Sequence, residues 1–287
     1  MRWEGREQST NVEDRRGVTM AAGGLVAGGG VGSIMLMVIL MFLGGNPQQL
    51  LEQVGEQQEQ FSRAKVSPEN DPDAPLVEFV SVVMKDNEDV WAKLFKEELE
   101  TRYQEPKLVI FKGAVTSACG QATAQVGPFY CPGDNNVYLD FDFFRELRTR
   151  FKAPGEFAMA YVIAHEVGHH VQNQLGLSSK VQAMQNRAGK IESNQLSVRL
   201  ELQADYLAGV WAHHAQASKH ILEAGDIASA TQAANQIGDD KITQGRVRKE
   251  NFTHGTSEQR VRWYSAGLTS GDVKGMMKLF ELEFDQL

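Results

Sequence analysis

The sequence predicts an α+β fold, mostly helical with one small mixed β-sheet, preceded by a single N-terminal transmembrane helix. Three observations carry this. Helical periodicity of apolar residues dominates from Phe141 onward, and also runs between Leu76 and Leu99. Between Lys107 and Asp140 the pattern changes to short β-rich runs, Leu108-Val-Ile-Phe111 and Val137-Tyr-Leu139, with Gly, Pro, Asp and Asn between them; no βαβ alternation appears. Finally, Val18–Leu43 is a stretch of 26 residues without a single charge, enough to span a bilayer with some tilt.

In chain order, residues 1–17 are polar and read as a cytoplasmic N-terminus, because Arg2, Arg6, Arg15 and Arg16 all precede the apolar run and the next basic residue is Arg63. The run 18–43 is long for a signal-peptide core, no Ala-x-Ala site follows it, and it reads as a membrane anchor. Everything after it then lies on the periplasmic or extracytoplasmic side of a bacterial cytoplasmic membrane. Gly24, Gly28 and Gly32 repeat at four-residue spacing, the pattern by which two spanning helices approach closely and form a homodimer.

Residues 44–75 form a linker, Gln- and Glu-rich first and then Ser-Pro-Glu-Asn-Asp-Pro-Asp-Ala-Pro, and the folded domain covers 76–287. Phe79, Val80, Val83 and then Val90, Trp91, Leu94, Phe95 give helical spacing over two helices. Strands are expected at 107–111, 115–118, 129–131 and 136–140. Cys119 and Cys131 flank a glycine-rich loop. In an oxidising compartment they can pair, and closing so short a loop stabilises by roughly 3 kcal/mol; the alternative is that either binds metal. Two cysteines exclude a four-thiolate zinc site. A net charge of −8 with no basic cluster excludes nucleic acid as a partner.

The chemistry concentrates in Tyr161-Val-Ile-Ala-His165-Glu166-Val-Gly-His169-His170-Val-Gln. Pro154 before it and Gly176 after it punctuate one helix. Residues four apart share a helix face, so His165 and His169 point two imidazoles at one place, where Zn²⁺ is a suitable guest. Glu166 is offset by one residue, within reach of a water there but not of the metal, which suits a general base. A third ligand comes from Arg199-Leu-Glu201-Leu-Gln-Ala-Asp205, a second helix with apolar Leu196, Leu200, Leu207 and Trp211. Glu201 and Asp205 share a face among Leu and Ala, where two carboxylates are costly unless they meet something charged. Glu201 on the metal and Asp205 orienting a ligand histidine from behind would satisfy both. Glu223–Asp240 reads as a packing helix with a solvated acidic cap, Ser257 as the N-cap of the next helix, and His213, His214 and His220 as structural or surface residues.

His165-Glu-x-x-His169 followed by Glu201-x-x-x-Asp205 resembles the gluzincin arrangement. More narrowly, Cys119-Gly, Gly127-Pro-Phe-Tyr-Cys131-Pro, Val137-Tyr-Leu-Asp140 and Glu201-Leu-Gln-Ala-Asp205 make the chain similar, over nearly its whole length, to the YpfJ-like bacterial neutral zinc metallopeptidases. That resemblance implies a zincin-like domain, a bound Zn²⁺, a peptide or protein substrate, and Glu201 rather than Asp205 as the third ligand. Thr253-His254-Gly255, followed by Arg260, resembles a Thr-His-Pro…Arg segment of some membrane-associated gluzincins, with glycine in place of proline; it makes His254 a candidate donor to the oxyanion formed in peptide hydrolysis. The competing expectation is a non-catalytic, zinc-stabilised adaptor or chaperone-like module of the cell envelope. Glu166 argues against it, since a structural site needs no base.

Overall fold

A computed structural model describes residues 1–17, 71–123 and 126–287. The expected anchor 18–43, the glycines 24, 28 and 32, and most of the linker lie outside the described residues. Among the described residues no helix is long and apolar enough to cross a membrane. The chain divides into two compact units, Met1–Glu13 with Pro72–Leu287, and Asp14–Asp71; only the first is described in any extent.

The first unit joins Met1–Glu13 to the helices that carry His165 and Glu201. The Arg2 amide donates to Ile221 O at 2.8 Å and the Ser9 amide to Ser81 O at 2.9 Å. Trp3 packs edge-on against Phe79 with ring centroids 5.6 Å apart, and Arg6 forms an ion pair with the buried Asp86. The segment ends as strand β1 (Val12–Asp14). Its sequence, Val-Glu-Asp, is short, mostly polar and lacks the alternation that betrays a strand, so only its partner identifies it.

One helix, α1 (Ala74–Glu97), replaces the two expected. The polar Lys85–Asp89 step that looked like a break is helical, because Asp86, Asn87 and Glu88 are buried with partners of their own: Lys219 and Arg6 on Asp86, Ser9 and Asn11 on Glu88. Strands β2 (Lys107–Phe111), β3 (Ala114–Ser117), β4 (Gly120–Thr123), β5 (Phe129–Cys131) and β6 (Asn136–Asp140) follow. They form a four-stranded sheet of order β1-β2-β6-β5 and a separate β3–β4 hairpin. β2 runs parallel to β6 and β5 antiparallel to it, so the sheet is mixed as expected. β4, written Gly-Gln-Ala-Thr, was missed for the same reason as β1: it has too little apolar character.

Period-two alternation covers both sheet faces. Leu108, Ile110, Val137 and Leu139 enter the main core against the helices, while Val109, Phe111 and Tyr138 form a smaller cluster with Val115 of the hairpin and Cys131. Each such buried side chain stabilises by about 1.5–3 kcal/mol relative to exposure. Asp140 ends β6 and caps α2 (Phe141–Thr149), accepting from the Asp142 amide at 2.9 Å. The longer helices that follow are α3 (Glu156–Gln174), α4 (Leu177–Gln185), α5 (Lys190–Lys219), α6 (Asp226–Gln236) and α7 (Ser257–Ser270). The N-cap of α7 is Thr256, one residue before the expected Ser257, because Thr256 and Gln259 close a capping box.

Two close approaches place the functional helices. A Cβ on Gly168 of α3 would lie 3.0 Å from Ala204 O of α5. Gly209 of α5 and Gly267 of α7 cross almost backbone to backbone; a Cβ on Gly267 would come within 2.0 Å of Tyr206 O. α5 is thereby clamped between α3 and α7, with Trp211 fully buried at the centre and stacked on Phe157 at 6.1 Å.

Candidate metal centre

The site is assembled by α3 and α5. His165 and His169 project from one face of α3, and Glu201 of α5 faces them: His165 Nε2 lies 3.3 Å from Glu201 Oε2 and His169 Nε2 3.5 Å from Glu201 Oε1. Among the described residues these three form the one group of His, Cys, Asp and Glu side chains convergent enough to hold a metal ion, with ligand atoms within 4.8 Å of one another. Both imidazoles present Nε2 because Nδ1 is engaged behind. His165 Nδ1 is 2.9 Å from Asp205 Oδ1, and His169 Nδ1 is 2.9 Å from Gln172 Oε1. Two imidazole nitrogens, each oriented from the rear, and a carboxylate are a donor set that fits zinc.

Behind the ligands lies a buried ion network. Asp205 is wholly buried and takes a bidentate contact from Arg260 of α7, a hydrogen bond from the Tyr161 hydroxyl at 2.5 Å, and His165. Burial alone would raise the Asp205 carboxyl; Arg260 first, then His165, hold it below its ordinary value. Burial disfavours a charged His165, yet Asp205 and then Glu201 outweigh it and raise the imidazole to about 9. Glu201 is held well below the carboxylate range: His169 and His165 overcome its desolvation.

Glu166 lines the same cavity as His165, His169, Glu201, His254 and Arg260, a cleft of about 730 Å³. Its other walls are Gly127–Tyr130 and aromatic and aliphatic residues including Phe143, Phe151, Val162 and Ile237. Gly127–Tyr130 reaches the cleft, while Thr116–Gly120 lies in the β3–β4 hairpin. Strand β5 is tied to α3 through Tyr130: its hydroxyl accepts from Asn173 Nδ2 at 3.0 Å and lies 3.1 Å from His170 Nδ1, whose Nε2 meets Gln104 O at 2.6 Å. Cys119 and Cys131 form a disulfide that fastens the hairpin to β5. They are not metal ligands.

Sequence reasoning missed Tyr161 and Gln172, although their positions, four before His165 and three after His169, put them on the ligand face. It also mistook Asp239 and Asp240 for a solvated cap. Asp239 is 8 % exposed and packed under the His254 loop. His213 and His214 bond to the carbonyls of Leu268 and Gly271 near the end of α7.

Residues 1–277 match the family model described as "Putative neutral zinc metallopeptidase". The chain belongs to that family. It is 43 % identical over 281 residues to the uncharacterized protein YpfJ of Escherichia coli strain K12, spanning 95 % of this chain and 96 % of that one. It is also 44 % identical over 184 residues to the uncharacterized protein Mb2605 of Mycobacterium bovis, 59 % of this chain and 61 % of the relative. No solved structure matches it. The family's description implies zinc, and the His165–His169–Glu201 group of this family member is where the donor chemistry fits it.

Proposed function

We propose that the protein is a zinc-dependent peptidase, attached to a bacterial cytoplasmic membrane through residues 18–43, with its folded domain on the extracytoplasmic side. The observation that carries the catalytic reading is the placement of Glu166 in the cleft wall beside the three convergent ligands. His165, His169 and Glu201 would hold zinc, which when bound supplies Lewis acidity toward water and a carbonyl oxygen. Glu166 accepts the proton of the attacking water and delivers it to the leaving amine. His254 offers a hydrogen bond to the oxyanion that develops on the substrate. Asp205, Gln172, Tyr161 and Arg260 do no chemistry; they fix the two imidazoles.

An extended polypeptide suits the cleft. β5 is the edge strand of the sheet and lies along its wall, so a substrate backbone can pair with it while apolar side chains rest against Phe143, Phe151 and Val162. The Cys119–Cys131 disulfide supports an oxidising compartment. The test is metal analysis and a casein or peptide-library cleavage assay on the full chain in detergent, comparing wild type with Glu166→Gln. One zinc per chain with cleavage confined to wild type is expected. Equal cleavage by both forms ends the catalytic assignment.

A further inference from the structure

His254 reaches the cleft from a loop without regular structure, and its side chain is 51 % exposed. An imidazole so placed would sample several rotamers unless something held it. Asp239, from a helical turn on the far side of the loop, does so. Its Oδ2 accepts from three consecutive amides, Thr253 at 2.8 Å, His254 at 2.7 Å and Gly255 at 3.2 Å. Its own amide returns a bond to Gly255 O at 2.9 Å. Its Oδ1 lies 3.2 Å from His254 Nδ1, so one carboxylate fixes both the backbone and the ring of the same residue.

The flanking residues serve the same joint. Asp240 Oδ1 accepts from the Ser257 amide at 2.7 Å and its hydroxyl at 2.8 Å. A Cβ on Gly238 would fall 2.3 Å from Ser257 N, so a side chain there would push the two segments apart. Nδ1 lies between Asp239 Oδ1 and the Thr253 hydroxyl, 3.1 Å away, so Nε2 is the ring nitrogen left for the cleft. The charged groups acting on this imidazole are Asp239, then Glu201 of α5, which raise it above its ordinary value against burial and Arg260 of α7.

We propose that Asp239 is a positioning residue for peptide hydrolysis, holding His254 by its backbone and Nδ1 so that Nε2–H is presented to the carbonyl oxygen of a bound peptide. This rests on the peptidase reading above and adds a residue to it. The arrangement parallels the support of His165 by Asp205, a carboxylate behind an imidazole, but on a separate element and for a ring that binds no metal.

The test uses the zinc-loaded full chain with Asp239→Asn, His254→Ala and the double variant. Asparagine keeps an oxygen for the three amides and removes the charge facing the ring. Asp239→Asn should lower kcat about 10–100-fold with KM and zinc content unchanged, and should add nothing to the loss in His254→Ala. Separately, ¹⁵N NMR titration of the metal-free protein should show His254 losing its proton at lower pH in Asp239→Asn than in wild type. Losses that multiply in the double variant, or an unshifted His254 titration, overturn the proposal. Normal kcat in His254→Ala, with Glu166→Gln inactive, overturns it while leaving the peptidase reading intact. Undiminished cleavage by Glu166→Gln would instead remove the reading beneath it.

Discussion

Arg260 meets Asp205 side by side, Nε to Oδ2 at 2.8 Å and a terminal nitrogen to Oδ1 at 3.0 Å, with both residues almost completely buried. The pair joins α7 to α5 directly behind His165. Removing one partner leaves an uncompensated buried charge, so Arg260→Ala should destabilise the fold by about 3–5 kcal/mol. Lysine cannot reproduce the bidentate fork and should rescue little. Denaturant unfolding of metal-free protein measures this; a loss below about 1 kcal/mol would contradict the pairing.

Glu166→Gln should abolish cleavage while zinc content and melting temperature stay at wild-type values, since the amide keeps the shape but cannot take the proton. Zinc lost together with activity would mean that Glu166 is a ligand.

Glu201→Ala should remove most of the bound zinc, whereas Asp205→Ala should weaken zinc binding about 10–100-fold. Competition with a chelator of known affinity ranks the two. The reverse order would make Asp205 the ligand and Glu201 its support.

Zinc uptake should be coupled to proton release. Without metal the His165 imidazole holds its proton to about pH 9, and a metal ligand must be neutral. At pH 7 binding should therefore expel about one proton from His165, and affinity should rise about tenfold per pH unit until it levels near pH 9. Calorimetry in buffers of different ionisation enthalpy counts the protons. No proton release at pH 7 would show that Asp205 does not hold the ring charged.

Cys119 and Cys131, taken from the native compartment, should resist alkylation until reduced. Replacing both by serine should cost roughly 3 kcal/mol of stability. Two thiols that label at once would remove the oxidising-compartment argument.

That His165, His169 and Glu201 converge was legible because helix geometry is local. The four-residue spacings His165–His169 and Glu201–Asp205 state which side chains share a face, and apolar flanks state that the carboxylates face something charged. What supports that group was not legible. Arg260 is 55 residues from Asp205 and Asp239 is 15 from His254, and no periodic rule links loops or different helices. β1 and β4 escaped for a different reason: their sequences are polar, and their strand character comes from the neighbour they bond to. α1 was divided in two because a charged step normally marks an end; here its charges are satisfied by residues brought from Ser9, Asn11 and Lys219.

The packed N-terminal segment has a topological consequence. Met1–Glu13 and Pro72–Leu287 are one folded unit, and a folded unit with polar backbone and buried ion pairs lies wholly in one aqueous compartment. While that packing holds, Met1 and Leu287 would lie in the same compartment. Arginine counting at the start of the chain would instead assign its two ends to opposite compartments. Reporters fused at Met1 and at Leu287 should then give one answer, and opposite answers would mean that the segment is stripped from α1 in the membrane-bound protein.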